Sequence, residues 1–109
     1  MSFFESLVGR NSGRNKALSR YKRGMAKAKH HDRQGAIDDY SAAINLADTS
    51  PDVQAMALYN RALVLAASKD STLATDDLKA VLAMADVPEN VKSAARDKLR
   101  RLNRFADEG

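Results

Sequence analysis

Cysteine and tryptophan are absent from this sequence of 109 residues, and three tyrosines and three phenylalanines are its only aromatic residues. Without cysteine, the chain can form no disulfide bond, no thiolate metal site and no thiol nucleophile. No apolar run approaches the roughly 18 residues that a membrane-spanning helix needs. Residues 1–9 also lack the charged region and the cleavage site of a secretory signal. We therefore expect a cytoplasmic protein with a single domain.

Alanine is abundant in the chain, at 19 of the 109 residues. Small side chains allow helices to pack closely, whereas β-sheets favour β-branched and aromatic residues. The composition therefore predicts an all-α protein.

Capping signals predict where the helices begin. Ser50, Pro51 and Asp52 combine an N-cap residue, a proline at the first helical position and an acidic residue near the positive end of a helix. Asp32 and Asp70 can each cap another helix. Five main helices are predicted, at about 14–30, 33–47, 51–68, 71–85 and 88–105. The short connections between them are typical of antiparallel neighbours.

Residues 1–13 form a predicted N-terminal extension. Phe3, Phe4, Leu7 and Val8 have helical spacing, as in a short leading turn that ends at Gly9. This apolar cluster either covers the end of the first helical hairpin or anchors a partner or a membrane, and the covering role is the simpler interpretation. Self-association is another way to cover such an end, so a homodimer stays open.

The sequence resembles itself under the shift that brings residue 17 onto residue 55. Residues 17–48 then align with residues 55–86 without a gap, and eleven of the 32 positions are identical. The identical pairs are Ala17/Ala55, Tyr21/Tyr59, Arg23/Arg61, Ala28/Ala66, Asp32/Asp70, Ala36/Ala74, Asp38/Asp76, Asp39/Asp77, Ala42/Ala80, Ala47/Ala85 and Asp48/Asp86. Two residues that are 38 positions apart and aligned by this shift are called equivalent residues below. Similarity at a fixed period indicates a stack of repeated helical hairpins.

The repeated unit resembles a tetratricopeptide repeat. Ala36, Tyr40 and Ala43 have the A-x-x-x-F/Y-x-x-A spacing of its second helix, and residues 58–65 resemble its first helix, with Ala62 at the small-residue position. The resemblance covers residues 17–105. It implies an α-α superhelix with one repeat at about 17–50, a second at about 51–86 and a capping helix at about 88–105. In this family, stacked first helices line a concave surface that binds peptides.

One helix departs from the family pattern. Arg20, Arg23 and Lys27 occupy positions that usually hold large apolar residues, and burying three unpaired cations would be very costly. We therefore predict that the first helix is rotated, so that Leu18, Tyr21 and Met25 face the second helix. The three cations would then form an outward basic stripe.

Charge is strongly segregated along the chain. Residues 10–33 contain nine basic and one acidic residue, residues 34–91 contain three basic and nine acidic residues, and residues 92–104 contain six basic and one acidic residue. In the last segment, Lys92, Arg96, Arg100 and Arg104 are spaced by four along one helix. Such segregation can steer an anionic partner towards the protein.

These features predict a non-catalytic adaptor without a cofactor, which binds a protein or peptide segment that is acidic in character. The predicted partner-binding residues are Tyr59, Asn60, Leu63, Arg20, Arg23 and Lys27. The alternative is binding of nucleic acid or another polyanion through the basic N- and C-terminal segments.

Three other candidate sites have simpler explanations. Adjacent His30 and His31 cannot readily share a metal ion on a helix, so a turn position is favoured. The Asp38-Asp39 and Asp76-Asp77 pairs recur with the repeat, which indicates an architectural role and not a catalytic one.

Overall fold

A computed structural model describes the backbone of residues 3–108 and the side chains of residues 13–105. All regular structure within residues 3–108 is helical, which confirms the predicted all-α fold. The helices are α1 (Phe3–Lys29), α2 (Arg33–Asn45), α3 (Pro51–Ala67), α4 (Ser71–Ala83) and α5 (Glu89–Glu108).

Helix α1 is longer than the sequence predicts. It begins at Phe3 instead of near residue 14 and continues through Gly9 and Gly13, so the predicted leading turn is not a separate element. A glycine costs a helix only about 1 kcal/mol relative to alanine, so two of them do not end it. Gly13 also allows a close approach, because a Cβ atom there would lie 2.9 Å from the Cβ of Asp48. The side chains of the Phe3/Phe4 cluster lie outside the described residues.

The same kind of turn joins α1 to α2 and α3 to α4. His31 has a φ of 63°, and the backbone N–H groups of His31 and Asp32 donate to carbonyl oxygens in the last turn of α1. Its equivalent, Lys69, has a φ of 65°, and the corresponding hydrogen bonds recur at the end of α3. This arrangement is a Schellman motif. As predicted, Asp32 and Asp70 then cap α2 and α4, each accepting a hydrogen bond from the backbone N–H three residues ahead.

The helices form a narrow stack. Helix α1 contacts α2 and α3, helix α3 contacts all four other helices, and α4 contacts α5. Among the described residues, neither α1 nor α2 contacts α4 or α5. The molecule is accordingly elongated, with extents of 59, 30 and 18 Å. Contacts restricted to near neighbours along the chain are typical of stacked helical hairpins.

Small side chains bring together the two helices of each hairpin. Gly24 of α1 is buried against the ring of Tyr40 on α2, and a Cβ atom on this glycine would lie 2.7 Å from the ring. In the second hairpin, the equivalent residues are Ala62 and Leu78, which share one buried cluster. Two other equivalent pairs are fully buried, namely Ala17/Ala55 and Ala36/Ala74.

The predicted rotation of α1 is wrong for the three cations and for Met25, whereas Tyr21 does face α2, with its ring centroid 5.9 Å from that of Tyr40. Arg20, Arg23 and Lys27 do not point away from α2; all three reach Asp39 on that helix. Met25, which the sequence places against α2, is instead 45% exposed. The prediction assumed that three unpaired cations would have to be buried. They are not unpaired, because the buried carboxylate of Asp39 compensates their charge, and their long side chains extend to solvent.

Candidate partner-binding surfaces

A guanidinium group holds one buried carboxylate in each hairpin. Arg23 Nε and Nη2 donate to Asp39 Oδ2 and Oδ1 at 2.9 and 2.7 Å. Arg61 makes the same two contacts with Asp77, at 2.8 and 2.7 Å. The two aspartates are 2% and 6% exposed. Such paired hydrogen bonds satisfy both oxygens of a carboxylate, so these aspartates tie the two helices of each hairpin together.

Neither ion pair follows from the predicted helices alone, but the sequence carries a signal for both. Arg23/Arg61 and Asp39/Asp77 are both among the identical pairs of the internal alignment, and each arginine precedes its aspartate by 16 residues. An arginine and an aspartate that recur together in both copies of the repeat indicate a contact between the two side chains.

Asp39 has two cationic neighbours that Asp77 lacks. Lys27 Nζ lies 3.0 Å from Asp39 Oδ2, and Arg20 Nη1 lies 3.5 Å from Oδ1. The hydrogen bonds from Arg23, reinforced by Lys27 and opposed by burial, lower the pKa of Asp39 to about 2. We call Arg20, Arg23 and Lys27 the cationic end.

The cationic end corresponds to a buried apolar surface in the second hairpin. The equivalents of Arg20 and Lys27 are Leu58 and Leu65, each only 8% exposed. In the second hairpin these leucines lie in a cluster formed with α4, on which Ile37 and Ile44 of α2 also pack. On α1, the three cations face α2 through Asp39, and no described helix occupies the place that α2 takes on α3. Charge therefore replaces apolar surface at the α1 side of the described stack.

The three predicted binding residues of α3 are all half-buried. Asn60 Nδ2 donates to Tyr21 Oη at 3.1 Å and to the carbonyl oxygen of Met56 at 2.8 Å, so its amide nitrogen already joins α3 to α1. Tyr59 packs against the apolar cluster shared by α3, α4 and α5. Leu63 lines an open cleft of about 210 Å³ beside the turn between α1 and α2.

Leu63 has an exposed counterpart on the neighbouring helix. Its equivalent on α1 is Met25, which is 45% exposed. Because α3 contacts both α1 and α5, these first helices lie side by side. We call Met25, Tyr59, Asn60 and Leu63 the first-helix face.

The six predicted binding residues belong to two different surfaces. Met25 of the first-helix face is two positions away from both Arg23 and Lys27 of the cationic end. Residues two positions apart on a helix point to nearly opposite sides. The structure therefore brings together the three cations on one surface and the three α3 residues on another.

A third surface lies near the end of α5. Arg100, Arg101, Arg104, Asp97 and Phe105 line an open cleft of about 410 Å³. Phe105 is 69% exposed, and Arg100 pairs with Asp97. An aromatic ring among arginines is a suitable platform for a planar anionic ligand.

The described residues show neither a metal site nor a membrane-spanning helix. His30 and His31 are exposed at the first turn, and within the described residues no three histidine or acidic side chains lie close enough to hold a metal ion. None of the helices, over the part that the structure describes, has a stretch that is long and apolar enough to span a bilayer.

No protein-family model, no curated protein and no solved structure matches this chain. The resemblance to tetratricopeptide repeats thus depends on the internal repeat and on the spacing of Ala36, Tyr40 and Ala43.

Proposed function

We propose that this chain is a non-catalytic protein-interaction module, a small tetratricopeptide-like adaptor that binds a segment of another protein. The observation that carries this proposal is the first-helix face, where Met25 and Leu63 remain partly open beside a cleft. A concave, mainly apolar surface with a few polar groups is the usual setting for peptide binding.

Two further observations support the comparison with tetratricopeptide repeats. Each hairpin has the same turn, the same aspartate N-cap and the same arginine–aspartate pair, always at equivalent positions. The first helices also lie next to one another, as stacked repeats require. The absence of cysteine in the sequence is in keeping with a cytoplasmic location, which forms part of the proposal.

Affinity capture with mass spectrometry tests the first-helix face. We expect the wild-type chain to capture a partner that the Tyr59→Ala/Leu63→Ala variant no longer retains. Leu73→Ala is the matched control, because Leu73 is an equally apolar side chain, 50% exposed on α4. Circular dichroism checks that each variant is folded, and the solution mass decides whether the chain forms a homodimer. Equal capture by all three proteins would contradict the assignment of this face.

A second candidate function is favoured by the surface near the end of α5. There, Arg101 and Arg104 lie beside the exposed ring of Phe105, an arrangement suited to the phosphates and bases of a single-stranded nucleic acid. Binding of a single-stranded RNA should then weaken steeply as salt rises. The Phe105→Ala and Arg101→Gln/Arg104→Gln variants should both reduce it. No binding of the wild-type chain at low salt would eliminate this function.

A further inference from the structure

We propose that the cationic end binds an acidic helix of a partner protein, laid antiparallel to α1 where a preceding hairpin would pack. This surface lies on the opposite side of α1 from the first-helix face, so the inference does not depend on partner binding at that face.

The cationic end carries a surplus of positive charge. Asp77 is held by Arg61 alone, which shows that one guanidinium satisfies the buried carboxylate of a hairpin. Asp39 is held in the same way by Arg23. The other two cations are therefore not needed for that purpose, and their side chains are 46% and 35% exposed. They retain N–H donors for an acceptor outside the chain.

No described helix occupies, on α1, the place that α2 takes on α3, and this place can be approached closely. On α3, the corresponding side is buried against the first hairpin. Three buried residues of that side have short, exposed equivalents on α1. The pairs, with the α3 residue first, are Val53 and Asn15, Ala57 and Ser19, and Val64 and Ala26. Short side chains allow another helix backbone to come near without requiring apolar cover.

The packing of α2 on α3 supplies a template for a helix placed on α1. Arg61 Nη1 donates to Ser41 Oγ at 3.0 Å, and Gln54 Nε2 donates to the carbonyl oxygen of Ile44 at 3.2 Å. The two helices therefore run antiparallel. Their register presents Ile37, Ser41 and Ile44, spaced i, i+4 and i+7, to α3.

The template defines the partner helix. A helix placed on α1 as α2 is placed on α3 would present its residues i, i+4 and i+7 to Lys27, Arg23 and Arg20. Leu58 and Leu65 belong to the cluster on which Ile37 and Ile44 pack, whereas the half-exposed cations in their place require acidic neighbours. Glutamate or aspartate at i, i+4 and i+7 thus complements the cationic end.

A second copy of this chain does not meet that requirement. Its acidic residues seven positions apart are Asp32 with Asp39 and Asp70 with Asp77. Each pair includes a buried carboxylate that is already bound by arginine. A different protein must therefore supply the acidic helix.

The experiment is a fluorescence-anisotropy titration of the full chain with two labelled peptides. One is an alanine-rich helix of about 18 residues, long enough to fold alone, with glutamates at i, i+4 and i+7. The other has the same composition, with its glutamates placed so that they do not share a face. We expect the first peptide to bind at least about tenfold more tightly than the second.

Two variants of equal charge locate the binding. Arg20→Gln/Lys27→Gln leaves Arg23 to hold Asp39 and should weaken binding of the patterned peptide by about tenfold. Lys22→Gln/Lys29→Gln removes the same charge from other exposed positions on α1 and should have a much smaller effect. Thermal unfolding verifies that both variants fold.

Equal binding of the two peptides, or equal loss in the two variants, would overturn the proposal. So would tighter binding of a single-stranded RNA with the same dependence on Arg20 and Lys27. Arg20→Gln/Lys27→Gln leaves the first-helix face unaltered, whereas Lys22 and Lys29 lie three and four positions from Met25 and flank that face. A larger loss in Lys22→Gln/Lys29→Gln would therefore place the peptide on the first-helix face and would also overturn the proposal.

Discussion

At the scale of single residues, the two hairpins solve the same packing problem with different pairs. The first places Gly24 against the large ring of Tyr40, and the second places Ala62 with the smaller Leu78. The two pairs have similar summed side-chain volumes, so each fills a comparable space between the helices of its hairpin.

Adding a methyl group at Gly24 should therefore destabilise the protein. Tyr40 is 1% exposed and cannot move aside, so we expect Gly24→Ala to lower the free energy of unfolding by about 1–2 kcal/mol despite the better helix propensity of alanine. The measurement is urea denaturation followed by circular dichroism.

The pairing of the second hairpin provides the control for this prediction. Gly24→Ala/Tyr40→Leu recreates the Ala62 and Leu78 combination, and its cost should fall short of the sum of the two single variants by about 1 kcal/mol. Strict additivity, or a Gly24→Ala variant as stable as the wild type, would contradict the packing argument.

The ion pair of Asp39 predicts a pH dependence of stability. Its pKa is about 2 in the folded state and near 3.8 without its partners, so the charged pair stabilises the fold fully above about pH 5. This contribution disappears as the pH falls through the folded pKa. Because its cationic partners are half-exposed, we expect a loss of about 1–2 kcal/mol.

Unfolding by urea between pH 5 and pH 2 measures this loss. Asp39→Asn should show a shallower decline than the wild type, since asparagine does not titrate. Asp38→Asn, which removes a neighbouring exposed carboxylate, should retain the wild-type slope. Identical slopes for wild type and Asp39→Asn would show that the pair contributes nothing.

At the scale of helices and turns, both Schellman turns place a residue other than glycine in the left-handed region. His31 and Lys69 have φ angles of 63° and 65°, which cost a side-chain-bearing residue about 1 kcal/mol relative to glycine. The cost is tolerated because each turn also has two backbone hydrogen bonds and an aspartate N-cap.

Glycine at either position should stabilise the protein. We expect His31→Gly and Lys69→Gly each to raise the free energy of unfolding by about 0.5–1 kcal/mol, measured by thermal and urea denaturation. His30→Gly, one residue earlier and without a positive φ, should instead lower stability. A destabilised His31→Gly variant would show that its side chain does more than the backbone geometry indicates.

Much of the element order could be predicted from the sequence, because helix beginnings depend on local chemistry. Asp32 and Asp70 are N-caps in the structure, and the four later helices begin within about one residue of the prediction. The start of α1 was not predictable from Gly9 and Gly13, because two glycines do not by themselves end a helix and the close approach of Gly13 to Asp48 depends on tertiary structure.

The orientation of α1 could not be derived from local charge alone. Arg20, Arg23 and Lys27 are too costly to bury until the carboxylate of Asp39 on the next helix is placed beside them. The residues on one face of a helix predict whether that face packs against a neighbour only when the residues of the neighbouring helix are known as well. The three α3 residues of the candidate site could be assigned to one helix face, but whether Asn60 was free could not, because Tyr21 reaches it from another helix.

At the scale of the whole molecule, the stack ends differently at its two sides. Helix α5 covers the second hairpin with its apolar side, and Val91, Leu99 and Leu102 pack on the main cluster. At the other side, α1 presents cations where α3 has Leu58 and Leu65. Charge at an open end discourages copies of the chain from stacking end to end.

Removing that charge should therefore promote association. Arg20→Leu/Lys27→Leu gives α1 the residues of α3 at these positions, and we expect this variant to form dimers or larger species at concentrations where the wild type does not. Analytical ultracentrifugation measures the difference, with Lys22→Leu/Lys29→Leu as the control of equal composition. A monodisperse variant with the wild-type mass would contradict the role of the charge.

The central claim is that the protein acts by recognition on its first-helix face. The most direct test is a chemical-shift titration of the isotope-labelled chain with the segment of the partner that affinity capture identifies. The account predicts that the largest shift changes cluster at Met25, Tyr59, Asn60 and Leu63. Changes centred instead on the outer side of α4, around Leu73 and Asp76, would contradict it.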